Sequence, residues 1–281
     1  MLEEIRELGF SRVELSHGIR MDLVPGIIRA HEEQWVEFSS IHNFCPLPSS
    51  AQGAAPNLFE PSSRSKREKI LWERYSIRSI EFATQIGAPL MVAHSGSVAP
   101  RFRSPREILE TEETSENETK RKSALDRLLR KAEKPFQRVV ENFRSLEEHA
   151  ARAGVVIGIE NREDVLEIPI DSQFESLLAE LPDKTAFAYW HDTGHARIKE
   201  RFGLLHHREH LEKMAPRLAG FHLHDVNDEG RDHQVPGSGS IDFQMIREFI
   251  EPEHILVAEL SPRLTREEVL QSRDFLLDTL S

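Results

Sequence analysis

The sequence is short of three things. Cysteine occurs once, at Cys45 in 281 residues, so no disulfide can form within the chain and a reducing cytoplasm suits it. No apolar run approaches the roughly 18 residues of a membrane span, and the opening Met1-Leu2-Glu3-Glu4-Ile5-Arg6 is too acidic for a secretion signal. Basic residues are outnumbered, 36 Lys+Arg against 48 Asp+Glu, for a formal net charge of −12, which disfavours DNA, RNA and anionic lipid as partners. These shortages predict a cytoplasmic protein that works on a small molecule, not on nucleic acid or membrane.

What is present is a recurrence. Six short apolar runs end on a metal-ligand residue type: Phe38 to His42, Leu90 to His94, Val155 to Glu160, Ala186 to Asp192, Phe221 to Asp225, and Ile255 to Glu259. Apolar runs of four to eight residues separated by helical patterns read as buried parallel strands. Arg12 to Ser16 alternates like a seventh. In an α/β barrel the carboxyl ends of all strands meet on one face, so these polar termini would share a pocket. With 38% hydrophobic content the chain can bury the core of one barrel domain spanning 1–281. Leu2, Ile5 and Leu8 share a helical face that stops at Gly9, so the chain opens with a helix where a barrel opens with a strand. Seven strands are recognisable, and the eighth, the first of the barrel, would lie upstream of Met1.

Helices are expected from about 65 to 86, closed by Gly87 and Pro89, and from about 124 to 152, ahead of Gly154. The charged, Glu/Thr/Ser-rich stretch at about 100–122 reads as an exposed excursion or a mobile lid. His206, His207 and His210, in a polar helical stretch, are expected in solvent, and Trp35 or Trp72, exposed on a helix, would mark an interface between copies in a homo-oligomer.

Glu160, Asp192, His222 and Glu259 are separated by 32, 30 and 37 positions, the stride of successive βα units. Three carboxylates and one imidazole form an oxygen-rich set that suits one Mn²⁺, Mg²⁺ or Co²⁺ ion, with Zn²⁺ also compatible. In Asp192-Thr193-Gly194-His195, acid and imidazole leave one loop together, and Asp192 or Thr193 could equally cap the next helix. His222 and His224 alternate onto the same side, and His224 could equally stand behind the ligands or face solvent. His42 and His94 could hold a second metal, bond substrate oxygens, or be satisfied buried histidines. Glu14 closes the Arg12 strand on weaker evidence. Downstream, Gly230 to Phe243 packs Arg231, Asp232 and His233 into a Gly/Pro turn whose amides, with Arg231, could hold a phosphate or a sugar hydroxyl.

Taken in order, Gly9-Phe10-Ser11-Arg12-Val13-Glu14-Leu15, Ile159-Glu160-Asn161, Asp192-Thr193-Gly194-His195, Phe221-His222-Leu223-His224-Asp225, Pro236-Gly237-Ser238-Gly239-Ser240-Ile241-Asp242-Phe243 and Ala258-Glu259 resemble the xylose-isomerase-like TIM barrels. These comprise sugar and sugar-phosphate isomerases and epimerases and the endonuclease-four-type AP endonucleases. The resemblance implies a metal on Glu160, Asp192, His222 and Glu259, which is what selects His222. It also implies Glu160 and Glu259 as the acid and base that move a proton through an enediolate, with His195 and Arg231 orienting substrate oxygens. In the AP endonucleases, His42, His94, His195 and His233 match positions that bind further zinc ions. Arg231 stands where that pattern has an aspartate when Gly237 is aligned, and Asp232 is displaced by one. That departure and the net charge favour a metal-dependent sugar or sugar-phosphate isomerase or epimerase, with His42, His94 and His233 as further substrate contacts. The alternatives are a zinc phosphodiesterase acting on DNA and a non-catalytic metabolite-binding barrel.

Overall fold

A computed structural model describes residues 1–51, 53–54, 57–98, 105–111, 113–183 and 185–280. In chain order the elements are α1 (Leu2–Glu7), β1 (Arg12–Leu15), α2 (Val24–Glu32), β2 (Glu37–His42), α3 (Lys66–Gln85), β3 (Leu90–Ala93), α4 (Arg106–Leu109), α5 (Glu118–Ala153), β4 (Val156–Glu160), α6 (Phe174–Glu180), β5 (Phe187–Asp192), α7 (Thr193–Arg201), α8 (His207–Met214), β6 (Leu218–Leu223), α9 (Phe243–Arg247), β7 (Ile255–Ala258) and α10 (Arg266–Leu280). The strands form one seven-stranded sheet in the order β1 to β7, the number the sequence pattern predicts. β1–β2, β2–β3, β3–β4 and β6–β7 pair in parallel.

The elements start and stop for local reasons. The Ser65 hydroxyl accepts the Glu68 N–H at the head of α3, one of the amides a helix start leaves unpaired. Gly87 follows α3 with φ +70° and Gly154 follows α5 with φ +65°, a backbone that residues with a Cβ adopt at a cost.

The chain divides into two compact units: Met1–Gly96 with Arg138–Glu160 and Leu178–Tyr189, and Ser97–Gln137 with Asn161–Leu177 and Trp190–Ser281. The first unit carries β1 to β4. Its core centres on Trp72 and Phe143, rings edge-on at 5.4 Å, with Phe187 edge-on to Phe143 at 6.1 Å. Such pairs are worth about 1 kcal/mol beyond the area they bury. Trp72 is 1% exposed, which corrects the expectation of an interface tryptophan there: α3 turns it inward onto α5. Trp35 remains 38% exposed.

The second unit carries β6 and β7. At Gly220 in β6 a side chain would meet the Ile255 carbonyl and the Trp190 ring, so glycine is what lets strand and indole close up. His207 and His210, expected in solvent, are buried, and only His206 is exposed. They lie on the inward stripe of α8, and the His191 and His207 Nε2 atoms share a hydrogen bond of 2.8 Å.

Of the expected 100–122 excursion, residues 100–104 and 112 lie outside the described residues. The described part is fastened down. Arg121, 5% exposed, donates to the carbonyls of Ile108, Leu109, Thr111 and Phe202, and Arg106 pairs with Asp164. Five N–H donors in a rigid fork suit one guanidinium to straps of this kind.

Candidate metal centre

In the second unit Asp192 ends β5 and caps α7, its Oδ1 accepting the His195 N–H at 2.7 Å. The two alternatives for this residue coexist, because capping uses one oxygen and leaves lone pairs on both. The Asn161 carboxamide fixes the Asp192 backbone from both sides, accepting its N–H at 2.7 Å and donating to its carbonyl at 2.9 Å. His222, on β6, places Nδ1 3.0 Å from Glu259 Oε2 and 3.8 Å from Asp192 Oδ2. Asp192, His222 and Glu259 each present one ligand atom within 4.8 Å of the others. His222 and Asp192 are fully buried and the Glu259 side chain is 28% exposed, so the group opens on the Glu259 side.

Two further acid–imidazole groups adjoin it in this unit: His224, His233 and Glu259, and Glu163, His195 and Asp232. His224 is fully buried with Nε2 3.0 Å from Asp192 Oδ2. Burial disfavours its charged form. The Asp192 carboxylate, by charge and hydrogen bond, and then Glu259 and Asp232 outweigh that and lift it to about 9. His195 Nδ1 lies 2.9 Å from the Asn161 carbonyl, and its Nε2 lies 3.8 Å from Asp232 Oδ2.

The Gly/Pro turn has a function other than the expected anion cradle. Asp225, fully buried, accepts the N–H groups of Val226 and Ile241 on Oδ1 and of Gly237 and Gly239 on Oδ2. The anion those amides hold is therefore the protein's own carboxylate. A side chain on Gly239 would strike it. Arg231 points outward, 74% exposed and 3.2 Å from Glu229, and does not join the acid–imidazole groups. His233 does, with Nδ1 3.1 Å from the Glu259 carbonyl.

In the first unit Glu160 ends β4, 1% exposed, with Oε2 2.7 Å from His94 Nε2. His94 Nδ1 lies 3.2 Å from Asn57 Oδ1. The Glu14 carboxylate accepts the Ser40 hydroxyl at 2.6 Å and lies 3.7 Å from His42 Nε2. The His42 ring stands edge-on to those of His17 and His94, at 5.3 and 5.5 Å. His42 and His94 thus each face a carboxylate.

Two carboxylates and an imidazole converging in one unit, one carboxylate held rigid from both sides, are the donor chemistry of a divalent-cation site. The profile of the xylose isomerase-like TIM barrels matches residues 2–278. The chain belongs to that family. Its α/β architecture is that of a xylose isomerase-like barrel, and solved structures agree. A D-tagatose 3-epimerase-like protein superposes with a TM-score of 0.71 at 18% identity, over 99% of this chain and 91% of that one. A 3-keto-D-glucoside 4-epimerase from E. coli gives 0.68 at 17% identity, over 99% and 92%. The D-psicose 3-epimerase of Clostridium cellulolyticum H10, solved with D-tagatose, gives 0.67 at 14% identity, over 100% and 92%. At these identities the likeness carries the fold. No curated protein matches this barrel in sequence.

Sequence reasoning missed what holds the candidate ligands. Asn161 was visible only as the residue after Glu160, and Asp225 only as the residue after His224. The signal for Asp225 was a buried-type strand end followed, 12 and 14 positions on, by two glycines whose amides it takes.

Proposed function

We propose that this xylose isomerase-like barrel is a divalent-metal-dependent isomerase or epimerase of a sugar, sugar phosphate or related polyol-derived ketone, working as one barrel domain in the cytoplasm. The observation that carries it is His222 Nδ1 set between the carboxylates of Asp192 and Glu259. Glu160 is the proposed fourth ligand. It ends β4, the neighbour of β5 in the sheet, and is joined by one peptide bond to Asn161, whose side chain grips Asp192. That the solved structures of like fold include a tagatose-bound psicose 3-epimerase and a ketoglucoside epimerase supports a carbohydrate substrate, and the net charge of −12 disfavours a polyanion.

A cation bound there supplies Lewis-acid polarisation of a ketose carbonyl and its neighbouring hydroxyl. Glu259, the more open carboxylate, takes the proton next to the carbonyl, and Glu160, buried against His94, returns one, each acting as general base or acid. His195, with Nδ1 toward the Asn161 carbonyl and Nε2 on the Asp232 side, orients a substrate oxygen. His42, His94, His233 and the exposed Arg231 are proposed as further substrate contacts. The test is metal analysis of the purified protein with a panel of ketoses assayed for epimerisation and exchange of the proton next to the carbonyl. One Mn²⁺, Mg²⁺ or Co²⁺ per chain with exchange on at least one ketose supports the proposal; a metal-free protein inert after reloading refutes it.

A zinc phosphodiesterase acting on DNA is the second reading, and the two extra acid–imidazole groups of the second unit favour it. Three zinc ions per chain and incision of abasic DNA would establish it in place of the first.

A further inference from the structure

The sequence left His224 either behind the ligands or in solvent; its contacts decide between the two. The ring is fully buried and bonded at both nitrogens. The backbone N–H of His233 points at Nδ1 across 2.9 Å. An amide only donates, so in the neutral ring Nδ1 accepts and the proton sits on Nε2, which lies 3.0 Å from Asp192 Oδ2. The Asp225 carbonyl, 3.4 Å from Nδ1, is the weaker claimant on that nitrogen.

Everything around the ring holds this arrangement. The Gly194 backbone leaves the space it fills, since a Cβ there would strike the imidazole. The His233 ring stacks on it at 4.3 Å. Thr193 Oγ1 lies within hydrogen-bond distance of the His222 and His224 carbonyls and accepts the His224 N–H at 3.3 Å. His233 has φ +54°, a left-handed backbone uncommon for a residue with a Cβ, and in that conformation its amide meets His224. Between the two histidines the chain doubles back through reciprocal backbone bonds of Asp225 and Gln234, both 3.1 Å.

We infer that His224 is a positioning residue: it presets the Asp192 carboxylate for a cation and ties the 226–241 loop, with Arg231, Asp232 and His233, to that carboxylate. The chain of bonds runs from the His233 N–H to His224 Nδ1 and from His224 Nε2–H to Asp192 Oδ2. With His195 N–H on Oδ1 and His224 on Oδ2, Asp192 is aimed before a cation arrives, and a displaced loop would release one of its two oxygens. This rests on Asp192 as a cation ligand, as proposed above.

Asparagine and glutamine separate the two bonds. His224→Asn keeps an acceptor where Nδ1 lies and loses the donor to Asp192; His224→Gln keeps a donor where Nε2 lies and loses the acceptor for His233. In apo-protein titrated with Mn²⁺ and read by electron paramagnetic resonance of the free ion, Asn is expected to weaken binding about 10-fold or more and Gln by less than about threefold. Hydrogen exchange at the His233 amide is expected to stay slow in the Asn variant and become fast in the Gln variant. Wild-type affinity in the Asn variant, or equal weakening in both, overturns the assignment. Wild-type protein that binds neither Mn²⁺ nor Zn²⁺ overturns the cation reading of Asp192 and this role with it. Should either variant fail to fold, the unmodified protein decides: ¹⁵N-histidine NMR well above pH 9, where the ring is neutral, is expected to show Nδ1 bare and Nε2 protonated, and a neutral ring with its proton on Nδ1 refutes the relay.

Discussion

Two groups of histidines in the second unit lie on opposite sides of β5, and their proton affinities part company. On the Asp192 side, His224 is lifted to about 9. On the His191 side, His207 and His210 are lowered to about 4 and His191 is lowered well below 6.5. All are buried, and burial is the largest influence on each, always against the charged form. The difference lies in the neighbours. His224 faces Asp192 at hydrogen-bond distance. His207 and His210 face one another and His191, with Arg197, Lys199 and Lys213 lowering them further, and Glu200 and Asp171 offsetting only part of it. One strand, alternating Trp190, His191 and Asp192 across its two faces, separates an imidazole set beside carboxylates from imidazoles that burial and one another keep neutral.

The largest test of that contrast is Asp192→Asn, which keeps the shape and removes the charge. Mn²⁺ affinity is expected to fall by about 100-fold or more and turnover to reach background, measured by titration and steady-state assay. If the affinity persists, the two faces do not differ as described. Glu259→Gln is expected next, with turnover down by about 10²–10⁴-fold and the fold intact by circular dichroism.

The rear face is tested by pH. His207 and His210 have folded pKa values below the unfolded value, so the native state favours their neutral forms. Their contribution is complete above about 6.5 and is lost as pH falls from 6.5 toward 4. Denaturant unfolding at pH 7.5 and 5 is expected to show a loss of a few kcal/mol at the lower pH, roughly 1.4 kcal/mol per pH unit for each histidine. His207→Gln is expected to flatten that dependence; an unchanged slope means the rear histidines are not the cause.

Asn161→Ala removes both bonds to the Asp192 backbone and should cost about 1–3 kcal/mol of stability together with weaker Mn²⁺ binding. The smallest effect is expected for Arg231→Ala. Its side chain is solvated and paired with Glu229, so Mn²⁺ affinity and stability should hold within about 0.5 kcal/mol, and any change should appear in KM.

Much of this architecture is legible in the residues because parallel strands buried on both faces must be apolar throughout, and their polar ends then stand out. Asp192 and Glu259 were singled out as candidates in this way, and His222 by the family resemblance. The rear histidines were misread for a related reason. In a short polar helix, Arg208 and Glu209 dominate composition, and composition does not say which stripe faces the sheet. Arg231 was placed by its neighbours in sequence, whereas the Asp225 carboxylate takes the turn's amides and leaves the guanidinium outside.

By itself the sequence determined the strand-and-helix rhythm, the seven strands and the residue type that ends each run, since period and hydrophobicity are local properties of a chain. Only the tertiary structure decided which histidines lie beside carboxylates and which beside one another, what Asp225 binds, and how His224 spends its two nitrogens. Those outcomes depend on hydrogen-bond partners 9 to 32 positions away, and a distant partner leaves no periodic trace in the sequence that contains it.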